Sequence, residues 1–498
     1  MSRKSRSLQE EFWLSRSHLN TRRVFIKNLG LSLGGMALSS AFPGCLHKKA
    51  GSETELSNFN PLKPKSPHFA AKAKSVIYLH MAGAPSQFEL FDHKPILNDL
   101  HGKPCPPSLL EGKKFAFIRG TPQMLGSQAK FSQHGDSGAR ISNYLPHLSS
   151  IVDEICFLRG IHTEQFNHAP AQLMMATGSA QAGRPSMGSW VTYGLGSENE
   201  NLPGFVVLTS GGVNPDAGKP VWGSGFLPSV YQGVQCRSKG DPVLFLSNPS
   251  NIDKNLRKKS IDAINKINQE TYKEFKDPET LARISQYEMA FKMQIEVPEV
   301  MNIADEPEYI HQLYGTQIGK ESFANNVLLA RKLVEKGVRF VQLYDWGWDT
   351  HGTNRATALD VGLVNKCRET DRAVTALILD LKQRGLLEET LVVWGGEFGR
   401  TPMQENRNGV GQSFFGRDHH PDAFTMWMAG GGIKRGYSHG ETDEIGYKPI
   451  SGEKSVFDIQ ATILNQLGFD HEKFTYEFQG RPFRLTDVSG KILKDIIA

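Results

Sequence analysis

The sequence predicts an α/β fold: a mostly parallel central sheet flanked by helices on both faces, with a helical insertion. Three observations predict it. Short runs rich in Val, Phe, Leu and Trp, at 338–344, 391–394 and 424–428, are each followed by polar or Gly-rich residues, as buried strands are. Between the first two, Leu359, Leu363, Cys367, Val374, Ile378 and Leu381 recur at helical spacing across 357–385, and Gly385 supplies a stop. Strand, helix, strand at that spacing requires a parallel crossover. With 498 residues, 39% of them hydrophobic, the chain is long enough to bury a large core.

The chain opens with a basic leader. Thr21-Arg22-Arg23-Val24-Phe25-Ile26-Lys27 matches the twin-arginine export pattern, and a weakly apolar, Gly-containing stretch, 29–42, follows it. That stretch falls short of the ~20 residues a membrane-spanning helix needs. Residues 1–44 therefore read as a signal peptide for the twin-arginine translocase, and the protein is expected in the periplasm or at the cell surface. Phe42-Pro43-Gly44-Cys45 is a partial lipobox; a lipidated Cys45 would tether the mature protein to a membrane, and cleavage near Ala41 is the alternative. The leader holds seven of the 57 Lys/Arg and two of the 52 Asp/Glu, which leaves 50 of each sign for 45–498. A neutral mature chain gives no reason to expect a nucleic-acid partner. Cys105, Cys156, Cys236 and Cys367 are widely spaced without any CxxC pair, which excludes thiolate zinc and leaves a disulfide framework unsupported.

Residues 45–72, rich in Lys, Ser, Pro and Asn, read as a linker, and 73–498 as the folded domain. The first strand, 75–81, runs into a small-residue turn followed by Ser86, Glu89 and Asp92, a place for a site or simply a turn. Residues 93–135 read as loop, 141–151 as helix and 155–159 as a second strand. Asn167-His168 then precedes Pro170 and a short apolar helix, with Thr177, Ser179, Arg184 and Ser186 close behind. Hydroxyls beside His and Arg suit a nucleophile or an anion clamp. Another strand is expected at 203–209. From about 240 to 320 the composition turns Lys-, Glu-, Asn- and Gln-rich, which reads as a solvated helical insertion. A helix over 322–337 is capped by Ser322 and stopped at Gly337. Near the end, Ser455 and Asp458 stand at capping-box spacing before an apolar stripe that Gly468 closes.

Open parallel sheets place their sites just past the strand C-termini. Asp345, Asp349 and His351 follow one strand there, Glu397 and Arg400 the next, and Asp418, His419 and His420 lie just before a third. Imidazoles and carboxylates without a thiolate suit a divalent ion: zinc first, with calcium, manganese or iron as alternatives. Asp349 and His351, two apart on an extended segment, project to the same side. Glu397 opens a Gly-flanked turn, where a carboxylate has little packing to do. Adjacent His419 and His420 face apart, so one is expected as a ligand and the other beside it.

The segments WDTH, GGEFGRTP, GRDHHP with its apolar strand and GGG, NHAPA, TGS and GRPSMGSWVTYGLGSENENLPGFVVL resemble the exported domain-of-unknown-function family 1501, which is similar to sulfatases and the wider alkaline phosphatase superfamily. The resemblance covers roughly 70–490, and the closing DIQATILNQLGFD and GRPFRLT are similar to a sulfatase-type C-terminal helix and its Gly-Arg segment. It implies an alkaline phosphatase/sulfatase-like sandwich in which metals bridge an ester oxyanion and a nucleophile. Carried over, Asp349 and His351 are the first ligand pair, Glu397 the strand-end acid, His419 or His420 the downstream His, and Arg400 a clamp for sulfate or phosphate oxygens. Departures are clear: no Asp directly follows the first strand, Glu397-Phe398 stands where Asp-His is usual, and no Cys-x-Pro-x-Arg segment supplies a formylglycine. The expected function is metal-dependent hydrolysis of a small-molecule or polysaccharide ester, sulfate or phosphate. Thr177, Ser179, Ser86 or a metal-bound water would be the nucleophile, with His168 beside them. The alternative is a non-catalytic extracytoplasmic glycan- or partner-binding protein on a degenerate sulfatase-like framework.

Overall fold

The computed structural model describes residues 60–498 apart from 239, 241, 244–247 and 249–250; the twin-arginine segment, Cys45 and the linker as far as 59 lie outside the described residues. Among the described residues nine strands form the central sheet: β1 (Ser75–Ala82), β2 (Ile155–His162), β3 (Phe205–Ser210), β4 (Val234–Cys236), β5 (Phe340–Trp346), β6 (Thr390–Gly395), β7 (Phe424–Ala429), β8 (Tyr437–His439) and β9 (Lys454–Ser455). Their order across the sheet is β8-β2-β7-β6-β1-β5-β3-β4, with β9 beside β2. Every pairing is parallel except those of β7, which runs against both β2 and β6.

Burial on both faces explains why the strands read as continuous apolar runs. In β1 all eight residues are buried. Ile77, Leu79 and Met81 point into the core shared with the helices Phe323–Glu335 and Gly362–Gln383. Val76 and Tyr78 point the other way, toward the helices His168–Thr177, Met187–Leu195 and Val456–Gln466. Alternation along the strand thus divides one apolar run between two helical layers.

The crossover expected between 338–344 and 391–394 is present, carried by Gly362–Gln383, but β1 is inserted between the two strands and pairs with both. That puts β1, β5 and β6 side by side, ending together at Ala82, Trp346 and Gly395. Because β7 is antiparallel, its beginning lies at this same edge, and residues 418–420 arrive there.

The helix expected over 141–151 does not form. Ala139–Ser142 instead pairs as a strand with Phe131–His134, inside the stretch read as loop, and a 3-10 helix follows at Leu148–Glu154. Pro146 disfavours helical backbone at the residue before it. The Asp371 carboxylate accepts the N–H groups of His147 (2.6 Å) and Leu148 (2.8 Å), which starts the helix late.

Ser322 caps its helix through the Asn325 N–H, and Ser455 and Asp458 form a capping box. In the insertion, Lys254–Phe275 buries only Ile261 and Asn265, whereas Pro278–Met301 sends Met293, Val297 and Val300 into the core. Residues 60–72 are tied along the domain: Leu62 is buried, and Lys65 and Lys72 donate backbone bonds to Leu195 and Gln466. Among the described residues no helix is long and apolar enough to cross a membrane.

Candidate metal centre

Four side chains meet at the C-terminal edge of the sheet. Asp349 and His351 come from the loop after β5, His168 from the first turn of His168–Thr177, and His419 from a two-residue ribbon in which His419–His420 pairs with Gly399–Arg400. One ligand atom from each lies within 4.8 Å of the others. Asp349 Oδ1 is 2.8 Å from His351 Nε2, 3.3 Å from His168 Nε2 and 3.5 Å from His419 Nε2.

The far side of each ring explains the convergence. His168 Nδ1 contacts Glu397 Oε1 at 2.7 Å, His419 Nδ1 contacts the Phe166 carbonyl at 2.7 Å, and His351 Nδ1 donates to Glu405. An acceptor behind Nδ1 holds the proton there and presents the Nε2 lone pair forward. Three such lone pairs and a carboxylate oxygen aimed at one point are a donor set for zinc or a similar divalent ion. His168 Nε2 is buried and without a hydrogen-bond partner among the described residues. The residues therefore fit a metal.

The acids and imidazoles also shift one another's ionisation, and an ion would displace the proton that His168 holds. Burial pushes the Asp349 carboxyl up, but Arg400 and the three imidazoles outweigh it and hold it far below the usual carboxylate range. Burial likewise opposes ionisation of Glu397, yet bonds from His168 and His80 hold it well below normal. His168 is raised to about 9: burial lowers it, but Asp349 and Glu397 prevail. His419 is lowered to about 4, by burial first and by the charges on Arg400 and His168. Phe117 and Phe398 close the site with ring contacts to His351 and His419 at 4.8 and 4.6 Å.

Glu397, fully buried, sits behind His168 rather than among the four converging groups: Oε1 also accepts Gly83 N–H (3.0 Å) and Gln172 Nε2 (3.1 Å), and Oε2 lies 3.2 Å from His80 Nε2. Gly83 has φ +108°, and a Cβ there would stand 2.5 Å from the Asp349 backbone N, so this close approach requires glycine. Arg400, also fully buried, donates to the carbonyls of Gly83, Ala84 and Arg417 and to Asp349. His420 faces away from His419, as neighbours on a strand do, and its Nε2 meets the Tyr447 carbonyl at 2.6 Å. The Asp418 carboxylate accepts N–H groups of Phe117, Ile118 and His419. Together with His351 and Glu405 it forms a second cluster of ligand-type atoms, but these bonds already engage its oxygens.

The hydroxyls lie elsewhere. Ser86 is fully buried and donates to Glu89, itself paired with buried Arg417 at 2.7 Å. Thr177 bonds the Leu173 carbonyl at 2.8 Å, and Ser179 Oγ accepts from Gln181 N–H. Both sit at the far end of the helix that begins with His168, roughly 13 Å along its axis at ~1.5 Å per residue. Asp345 pairs with Lys366 (2.9 Å) and Trp348 Nε1 (2.9 Å) beneath the sheet edge. Glu405, His80 and Gln172 escaped the sequence reading. Glu405 is the instructive case, since no spacing links it to His351, which lies 54 residues earlier.

Fold and site define a doubly covered, mostly parallel sheet protein with a three-histidine, one-aspartate cluster at the C-terminal strand edge. The chain belongs to the family described as protein of unknown function, DUF1501, which it matches over residues 73–497. No curated protein matches it. Among solved structures it is similar to PsFucS1 sulfatase from Pseudoalteromonas sp., at 12% identity over 80% of this chain and 68% of that one, TM-score 0.34. It is also similar to the phosphonate monoester hydrolase SpPMH from Silicibacter pomeroyi (11% identity, 79% and 73% covered, TM-score 0.31). A third is the alkaline phosphatase of the Antarctic bacterium TAB5 (10% identity, 72% and 92% covered, TM-score 0.29).

Proposed function

We propose that this chain is an exported, metal-dependent hydrolase of sulfate or phosphate esters. The observation that carries the reading is the convergence of three Nδ1-anchored imidazoles and Asp349 on one point. His168, His351, His419 and Asp349 would hold the ion. A divalent ion bound there supplies Lewis acidity toward an ester oxygen and acidifies water. Arg400 fixes Asp349, Glu397 and Glu405 fix His168 and His351, and the two phenylalanines limit access of bulk water to the cluster. With Ser86, Thr177 and Ser179 engaged elsewhere, this reading takes water as the nucleophile.

That Ser86, Thr177 and Ser179 are all engaged elsewhere favours a second reading, a metal-stabilised extracytoplasmic binding protein without turnover. One experiment separates them: elemental analysis of the purified mature protein, wild type beside His351→Ala, with hydrolysis of nitrophenyl phosphate and nitrophenyl sulfate followed in parallel. About one equivalent of transition metal, lost in the variant together with hydrolysis, is the expected result. Bound metal with no turnover of either ester class would move the assignment to the binding reading. A metal-free, folded wild type would sink both. Export belongs to this proposal through Arg22 and Arg23, and replacing both with Lys is expected to retain the protein in the cytoplasm.

A further inference from the structure

On β2, away from the metal cluster, the strand carries a charged residue in its middle. Arg159 follows Phe157 and Leu158, both buried. The pairing with β7 slips at this point: Leu158 opposes Met426 and Ile161 opposes Phe424, so Arg159 and Gly160 together face Thr425 alone. Gly160 has φ +70°. This is a β-bulge, a device that re-aims a side chain out of the sheet. It turns Arg159 into a cavity of about 430 Å³, which Lys94, Ser137, Arg140, Ser438 and Glu441 also line. That volume lies in the range of small-ligand sites.

The guanidinium is under-used. Arg159 donates one long bond, 3.5 Å, to the Phe91 carbonyl, and no other acceptor among the described residues bonds it. Two acids lie near it: Asp92 is occupied by Lys94 (3.3 Å) and by the Thr442 hydroxyl (2.5 Å), and Glu441 stands on the cavity wall without a hydrogen bond to Arg159 among the described residues. Arg140 is held toward the cavity by His93 Nδ1 at 3.1 Å, and the His93 ring stacks on Phe131 at 4.7 Å. Both guanidiniums line the cavity, and a pair of guanidiniums suits an oxyanion. The hydroxyls of Ser137 and Ser438 beside them suit a ligand that carries hydroxyls of its own.

We propose that this cavity binds an acidic saccharide, its sulfate or carboxylate held between Arg159 and Arg140. The assignment is independent of the metal centre, since none of the cavity residues belongs to that cluster.

The test is calorimetric titration of the full mature chain with dextran sulfate oligosaccharides, oligogalacturonate, neutral dextran and inorganic sulfate. At least one of the two acidic oligosaccharides is expected to bind, and neutral dextran is not. Arg159→Gln and Arg140→Gln should each weaken binding by about tenfold or more, the loss of a charge-assisted hydrogen bond. Lys258→Gln, on the exposed helix of the insertion, should leave it unchanged. If Arg159→Gln fails to fold, exposed Arg140 decides the matter. The proposal is overturned if neither acidic oligosaccharide binds, if Arg140→Gln binds like wild type, or if Lys258→Gln weakens binding equally. It is also overturned if inorganic sulfate competes at the same molar affinity.

Discussion

At the scale of single residues, the side chains behind the cluster decide how well it can hold an ion. Glu405 is fully buried and spans His351 Nδ1 and Arg407 Nε. Removing such a support from a ligating histidine usually costs 10–100-fold in metal affinity. Glu405→Ala should therefore weaken metal binding by about that factor, measured by competition with a chromophoric chelator, while circular dichroism stays native. Unchanged affinity would mean that Glu405 only packs. Lys454 offers a pH test away from the site. Burial lowers its ammonium to about 8 from the ordinary 10.5, and the amine donates to the Arg159 and His439 carbonyls. Below pH 8 both folded and unfolded chains carry the proton and the burial penalty is constant. Between 8 and 10.5 the unfolded chain still binds it and the folded chain does not, so stability rises with pH. Relative to Lys454→Met, the wild type should gain up to about 1.4 kcal/mol per pH unit across that window in urea unfolding. A flat difference would show that the group is not depressed.

Between elements, the helices Phe323–Glu335 and Gly362–Gln383 share an ionic network on one face of the sheet. Buried Arg331 lies 2.9 Å from Asp380 and 2.8 Å from Glu306, while Tyr314 and Arg384 donate to Asp380 at 3.0 and 2.7 Å. Removing one member of a buried ionic set leaves its partners uncompensated, typically at 3–5 kcal/mol. Asp380→Ala is expected to lose about that much in chemical denaturation. A loss under about 1 kcal/mol would show that Glu306 and Glu335 together satisfy Arg331. The prediction belongs to the helix pair because neither helix contains all the charges. A related effect decided the 141–151 segment. Its apolar residues suit a helix, but Asp371, on a distant helix, captures the His147 and Leu148 N–H groups.

For the whole molecule, the cluster ties together segments far apart in the chain: His168, the 349–351 loop and His419. An ion held there cross-links the loops at the sheet edge and binds only the folded chain. At a hundredfold excess over its dissociation constant, such a ligand adds about 2.7 kcal/mol of stability. Stripping the mature protein with a chelator should lower its melting temperature, and zinc should restore it more fully than magnesium, given three imidazole donors. Identical melting with and without metal would remove the cluster as a metal site.

Periodicity and residue type alone determined the layered α/β architecture, the capped helices at Ser322 and Ser455, and the segments from which the cluster is drawn. These are local properties: an apolar run buried on both faces, a hydroxyl three residues before an acceptor, histidines and acids crowded at strand ends. Tertiary structure decided the rest. It inserted β1 between β5 and β6, and it ran β7 backwards so that His419 reached Asp349. It also placed Glu397 and Glu405 behind the imidazoles. Strand order and the partner behind a histidine depend on contacts between residues dozens to hundreds of positions apart, and no spacing along the chain encodes such contacts.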